Sequence, residues 1–503
     1  MCGILLVKSK DSIPLSKHLS AFRKLESRGP DFSRYQHINN IFIGQSVLHI
    51  TGSSDYYNQK HTNFLAYNGE IYNYRDFGPY RNDIEFVNDC VENNIDRLNA
   101  GWGPWAFAWT DGATTLYASD PQGERCLYQY QDDSILIVAS EIEAILEYIQ
   151  PKFIQQNYAS RHWAILDQTP YAGIKRIKAG ELYHDGLASH TIDSIWSWVR
   201  PADYNNFNEA YEDFKHTWQY VTQCMTPACS AGLAYSGGLD SSIILSHIDN
   251  LELYATNMTG KDPIVDHIQD FLTDNELARL HQLDVNEQEW AKAFLAVMDK
   301  TCMPVQSWSF VGQWIINQQC RERVMFTGLG ADELFGGYNI YQTLAYSTEQ
   351  SASPYSQGCE PALWQQCLTA YHGDARQATL LADYLYQIAG CDARGVDTVG
   401  GAWGIESRSP FLARPVMQLA LSLPFEYKVG LVPKPLIRKL FLERWAEQNI
   451  LPKKGFSGHC NDSLPWLGVS IDATGNRDQD WQQILTKSFY NWPNQLVDQT
   501  IQV

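Results

Sequence analysis

The sequence predicts two folds in series: an α+β sandwich of two antiparallel sheets with helices over residues 1–195, then a parallel-sheet α/β unit over 205–470. Three observations predict this. Before residue 190, short apolar or alternating runs recur between Gly, Asn and Asp turns. Beyond residue 205, strand-like runs alternate with helical patterns, which implies parallel pairing. Between them, 196–209 (WSWVRPADYNNFNE) has the composition of a linker.

The first unit takes its strands from 41–50 (IFIGQSVLHI), 64–67 (FLAY), 105–109 (WAFAW), 115–118 (TLYA) and 135–139 (ILIVA). Strands this short and this closely spaced stack as antiparallel sheets. In the second unit, 232–235 reads as a short buried strand, followed by a Gly-rich turn and a helix over 241–248. A further strand falls at 324–327, and 347–361 (STEQSASPYSQGCEP) reads as a polar loop. Residues 471–503 form a weakly determined tail, and no repeat of 20–50 residues is present.

At 503 residues the chain is too long for one ordinary core. Its 44% hydrophobic and 19% charged residues are globular composition. A net charge of −19 argues against a general nucleic-acid binder or a peripheral membrane protein. No apolar run reaches the ~18–20 residues of a membrane helix, and the opening MCGILLV is too short and wrongly flanked for a secretory signal. Eleven cysteines with no CxxC pair suggest neither a disulfide scaffold nor a zinc site. Reduced thiols and a cytoplasmic location are the expectation.

Cys2 directly follows Met1. Removing Met1 would leave one residue carrying a thiol and an α-amine, whose ordinary pKa of roughly 7.7–8.0 lets it accept the thiol proton. Nucleophile and base then sit on one residue. Alone, a Cys at this position is as readily a small buried hydrophobe. Two further segments bear on it, Arg28-Gly29-Pro30-Asp31 and Asn68-Gly69-Glu70-Ile71-Tyr72-Asn73. An Asn amide and a Gly main-chain N–H converging on one point would form an oxyanion hole, although an isolated Asn-Gly is more often a hairpin turn. Glu70 and Asp83 are carboxylates suited to an α-ammonium group.

The second unit carries Tyr235-Ser236-Gly237-Gly238-Leu239-Asp240-Ser241-Ser242 between a strand and a helix. Successive N–H groups there form an anion nest, and the helix start adds about half a positive charge. No Lys follows the glycines, so this is not the GxxxxGK[ST] loop. Thr327-Gly328-Leu329-Gly330-Ala331-Asp332-Glu333-Leu334-Phe335-Gly336-Gly337-Tyr338 lies further on, and Asp240 and Asp332 are natural Mg²⁺ ligands. Gly401-Ala402-Trp403-Gly404-Ile405-Glu406-Ser407-Arg408-Ser409-Pro410-Phe411-Leu412 and Lys453-Lys454-Gly455-Phe456-Ser457 complete the set. Lys453 is a candidate to neutralise charge on an α-phosphate, although a lone Lys-Lys pair is ordinarily a solvated surface feature.

Residues 1–190 resemble the class II glutamine amidotransferase domain, an Ntn-hydrolase fold, through Cys2-Gly3-Ile4, Arg28–Asp31, Asn68–Asn73 and Asp83. The loop at 235–242 resembles that of ATP pyrophosphatases. That loop and the segments at 327–338, 401–412 and 453–457, four in this order, resemble the glutamine-hydrolysing asparagine synthetase family. The resemblance implies glutamine hydrolysis at Cys2, with Asn68 and Gly69 as the oxyanion hole and Lys453 as a catalytic residue. It implies glutamine binding by Leu48, His49, Ile50, Asn68, Gly69, Glu70 and Asp83. For ATP it implies Ala234, Ser236, Gly237, Gly238, Leu239, Asp240, Ser241, Ser242, Thr256, Thr327 and Gly328, with Mg²⁺ on Asp240 and Asp332. Ammonia would pass to an acyl-adenylate, by default that of aspartate, releasing AMP and pyrophosphate. A different carboxylate acceptor and a degenerate non-catalytic copy stay open as alternatives. No nucleic-acid or membrane partner is implied, and a homodimer is left open.

The chain departs from the family's pattern in three places. Val47 stands where an Arg clamps the glutamine α-carboxylate; His49, two residues on, is expected on the same strand face. Leu329 replaces a Glu beside the adenylate. Ala413 stands where Asp commonly follows Pro-Phe-Leu.

Overall fold

A computed structural model of the chain describes residues 1–50, 63–151, 167–202, 204–258, 268–269, 272–346 and 359–451. Lys453, the tail at 471–503 and most of the polar loop (347–358) lie outside them. In chain order the first part holds β1 (Gly3–Ser9), β2 (Phe32–Ile38), β3 (Ile41–Val47), β4 (Phe64–Gly69), β5 (Trp105–Thr110), β6 (Thr115–Ser119), β7 (Tyr128–Gln131), β8 (Ile135–Ala139), β9 (Ile174–Arg176), β10 (Glu181–His184) and β11 (Leu187–Thr191). They pair antiparallel in two sheets, β2-β3-β1-β8-β7-β9 and β11-β10-β6-β5-β4.

Strand β1 shows why its sequence is continuously apolar. Ile4 and Leu6 point between the sheets, against Ile43, Ala66, Ala106 and Val138. Leu5 and Val7 point to the other face, where they join Phe22 and Ile137. That second cluster also takes in Trp290, Phe294, Val297 and Val399 from the later part of the chain. With both faces covered, no polar alternation is left to read. The other sheet buries its outer face under the helix Asp83–Asn93, capped by the Asn82 side chain accepting from Glu85 N at 2.9 Å.

The later part holds β12 (Ala231–Ala234), β13 (Glu252–Met258), β14 (Leu280–Val285), β15 (Val324–Phe326) and β16 (Glu406–Arg408). All four pairings are parallel, in the order β14-β13-β12-β15-β16. Among the described residues, no helix is long and apolar enough to cross a membrane.

Buried ion pairs tie the two parts together. Arg28, fully buried, donates to Cys2 O at 3.0 Å, Glu141 at 3.1 Å and Asp397 at 2.7 Å. Asp397 also faces Arg125 at 3.3 Å. One expectation fails. The run 41–50 ends as a strand at Val47, so His49 shares no strand face with Val47. Backbone N–H groups from the segment turn to a side chain instead: His49 N donates to Asp31 Oδ2 at 2.9 Å, which draws the chain out of the ladder.

Candidate active sites

The first site forms where β1, β3 and β4 bring their ends together. One pocket is lined by Cys2, Val47, Leu48, His49, Ile50, Gly69, Glu70 and Asp83, with Met1, Tyr67 and Glu406 beside them. The glutamine-binding residues read from sequence therefore converge, with one qualification of place. Asn68 lies behind the wall, where its Oδ1 accepts from Cys2 N at 2.7 Å. Its Nδ2 is buried and has no hydrogen-bond partner among the described residues. Gly69 follows with φ of +147°, and a Cβ there would lie 2.1 Å from Pro104 O, so only Gly fits.

Asp83 opens its helix with Oδ2 accepting from Tyr67 Oη and Ile71 N, each at 3.1 Å. Burial pushes its carboxyl up to about 6. Burial likewise pushes the Cys2 thiol up, against the opposing pull of the neighbouring α-amine and of hydrogen bonds from Leu48 and Gln45. Glu70 lies 3.5 Å from Arg408 Nη2, and that guanidinium also donates through Nε to Glu406 at 2.8 Å. Val47 is buried and its side chain carries no charge to the pocket.

The second site lies at the carboxyl ends of the parallel strands, where open α/β sheets bind ligands. Ala234 ends β12, and residues 235–238 turn into the helix Leu239–Leu245. Within the turn Ser236 Oγ accepts from Gly238 N and meets Ser241 Oγ, both at 3.3 Å, while Tyr235 Oη meets Ser242 Oγ at 3.3 Å. Thr256 lies on neighbouring β13. Thr327 leaves β15, with its Oγ1 2.9 Å from Ser409 Oγ, and Gly328 backs directly onto Asp240.

Sequence reasoning missed the residue at the centre. Lys434 Nζ lies 2.6 and 2.7 Å from the two carboxylate oxygens of Asp240 and 2.5 Å from Asp332 Oδ1. It is nearly fully buried and precedes the helix Pro435–Phe441 with φ of 54°. Gly337 permits the approach, since a Cβ there would fall 1.9 Å from Asp332 Oδ1. The available signal was a Lys before a helix-starting Pro, a common arrangement that singles out nothing. Leu329 is partly buried against the apolar core, so its side chain offers the site no charge. No group of three or more His, Cys, Asp or Glu among the described residues is arranged to hold a metal. Two carboxylates drawn onto one ammonium nevertheless suit Mg²⁺, which takes one or two protein carboxylates and completes its shell with phosphates and water.

The chain thus joins a two-sheet unit with Cys2 in its pocket to a parallel-sheet unit with a Gly-rich turn between its first strand and the helix that follows. The Glutamine amidotransferase domain family matches residues 1–194, and the Asparagine synthase family matches residues 219–465. The chain therefore carries a glutamine amidotransferase domain followed by an asparagine synthase domain, and it is similar along most of its length to glutamine-hydrolysing asparagine synthetases. Asparagine synthetase of Gallus gallus is 25% identical over 510 residues, covering 90% of this chain and 82% of that one. Asparagine synthetase B of Escherichia coli is 24% identical over 549 residues, covering 98% and 88%. Among solved structures, the glutamine phosphoribosylpyrophosphate amidotransferase from B. subtilis complexed with ADP and GMP matches at 15% identity and a TM-score of 0.27. That match covers 46% of this chain and 60% of that one.

Proposed function

We propose that the protein is an ATP-dependent amide-forming enzyme that takes nitrogen from glutamine. Residues 1–195 act as the glutaminase, 205–470 as the synthetase, and 471–503 as a tail. The observation that carries this reading is the pocket that gathers Cys2, Gly69, Glu70 and Asp83 from separate elements, with Asn68 fastened to Cys2 N. Once Met1 is removed, Cys2 attacks the side-chain amide of glutamine, its own amine taking the thiol proton. The tetrahedral oxyanion is met by Asn68 Nδ2 and Gly69 N–H. Glu70 and Asp83 hold the substrate's α-ammonium.

Strands β15 and β16 support transfer of ammonia between the sites. Glu406, at the start of β16, borders the Cys2 pocket, while Ser409 just beyond its end meets Thr327 beside the nucleotide loop. Three strand residues span about 10 Å. At the second site the loop at 236–242, with Thr256, Thr327 and Gly328, binds ATP. The carboxylate acceptor attacks the α-phosphorus, pyrophosphate leaves, and ammonia displaces AMP from the acyl-adenylate. Lys453 balances charge at the α-phosphate. Asp240 and Asp332 would hold Mg²⁺, which would neutralise charge on the departing pyrophosphate. The ten described cysteines are all free, in keeping with a cytoplasmic setting.

Asparagine is the product this reading assigns first. A second reading, another carboxylate as acceptor, is favoured by Leu329. A pyrophosphate-release screen over candidate carboxylates, with AMP identified as the second product, tests both. If aspartate is the acceptor, Leu329→Glu should speed asparagine formation, because general acid–base help is worth about 10²–10⁴-fold. If the true acceptor is less polar, the same change slows its turnover by burying an unpaired charge. ADP and phosphate as coupled products would overturn the loop assignment.

Glutamine binding should depend on pH through Asp83. Its carboxyl titrates at about 6 and must be ionised to hold an ammonium. Glutamine KM should therefore stay flat above that value and climb as pH falls below it. A KM unchanged down to pH 5 removes Asp83 from the role.

A further inference from the structure

The glutamine pocket lacks the guanidinium expected at position 47, yet an arginine from the synthetase unit reaches its wall. Arg323 precedes β15. Its Nη1 pairs with Asp31 Oδ2 and donates to His49 O at 3.3 Å. The same Asp31 oxygen accepts His49 N at 2.9 Å, and Asp31 N donates to Val47 O at 3.2 Å. Asp31 and Arg323 together therefore hold both backbone polar groups of His49, in the stretch 47–50 that lines the pocket. The backbone of Arg323 is itself fixed, because its carbonyl accepts Glu406 N at 2.7 Å and the next residue pairs with Glu406 in the parallel sheet.

We infer that Arg323 is a positioning residue for the glutamine pocket: it clasps the His49 segment from across the domain boundary and sets the pocket wall. The inference rests on the glutaminase reading above. Three consequences follow from the geometry. The wall is keyed to the register of β15, whose far end leads into Thr327 and Gly328 at the nucleotide loop. Pocket shape, and hence glutamine affinity, depends on the docked synthetase sheet. Position 47 needs no charge to order this wall, because Asp31 and Arg323 do so through the backbone.

The side chain of Arg323 is about half exposed, and ion pairs that exposed contribute little to stability. Arg323→Ala should therefore fold, which makes the test direct. Glutamate release from glutamine and product formation from ammonium chloride are measured on the full chain for wild type, Arg323→Ala and Arg323→Lys. Arg323→Ala should raise glutamine KM about twofold to tenfold, the factor set by one ordinary hydrogen bond lost from the wall. Its ammonium-dependent kcat should stay at the wild-type value. Arg323→Lys, which keeps the pairing with Asp31, should recover most of the loss. Unchanged glutamine KM in Arg323→Ala, or an equal fall in both activities, would overturn the inference while leaving the glutaminase reading intact. Absence of glutamate release from wild type would overturn both.

Discussion

Cys2→Ala should abolish glutamine-dependent synthesis and leave ammonium-dependent synthesis within about twofold of wild type. Removing the nucleophile of a hydrolytic site costs up to about 10⁶ in kcat in a serine protease, so glutamate release should fall below detection. The substitution is mild for the fold. Cys2 is buried, but its backbone contacts to Asn68 Oδ1 and Arg28 Nε are made by N and O, which alanine retains. The lost sulfur leaves a void smaller than those of core Leu→Ala changes, whose costs begin near about 3 kcal/mol. The synthetase residues Asp240, Asp332 and Lys434 sit on helices and a helix cap of the later part of the chain, paired with one another. Loss of both activities in a folded Cys2→Ala protein would sink the division of labour between the two units.

Much of the first pocket's lining was legible because it comes from short contiguous segments. The Asn68-Gly69 pair singles out Gly69, and its positive φ and close approach to Pro104 explain why glycine stands there; the loop at 235–242 stands out because glycines and serines at that spacing have few other uses. The paired sheets followed from strand spacing. What sequence could not give was anything assembled from distant segments. Lys434 reaches Asp240 across 194 residues and Arg323 reaches His49 across 274. Neither sits in a motif, and a lone Lys or Arg is ordinarily a solvated side chain. His49 illustrates the converse error. A run of apolar residues through Ile50 reads as one strand, but the Asp31 carboxylate outcompetes the ladder for the His49 N–H and ends the strand at Val47.

Lys434→Met should lower stability in metal-free buffer and suppress pyrophosphate release. One buried ammonium holds Asp240 and Asp332 together. Without it two carboxylates face each other, and like charges at this range cannot both stay ionised cheaply. Breaking a buried ion pair by removing one partner costs about 3–5 kcal/mol. Because Asp240 and Asp332 are themselves 16% and 14% exposed, the low end of that range applies. The sign of two companion measurements separates this cause from simple loss of packing. Asp332→Asn in the Lys434→Met background removes one of the two repelling charges and should return part of the lost stability. Mg²⁺ with ATP should raise the melting temperature of Lys434→Met more than that of wild type, since the variant's carboxylates have lost their own cation. Asp332→Asn alone should suppress adenylation by about 10² or more, the loss typical of one preorganised charge at a transition state. Its glutamate release should persist at the wild-type rate. A Lys434→Met protein that melts in EDTA at the wild-type temperature would mean that the ammonium does not hold the two carboxylates, and the assignment of that pair to Mg²⁺ would lose its structural support.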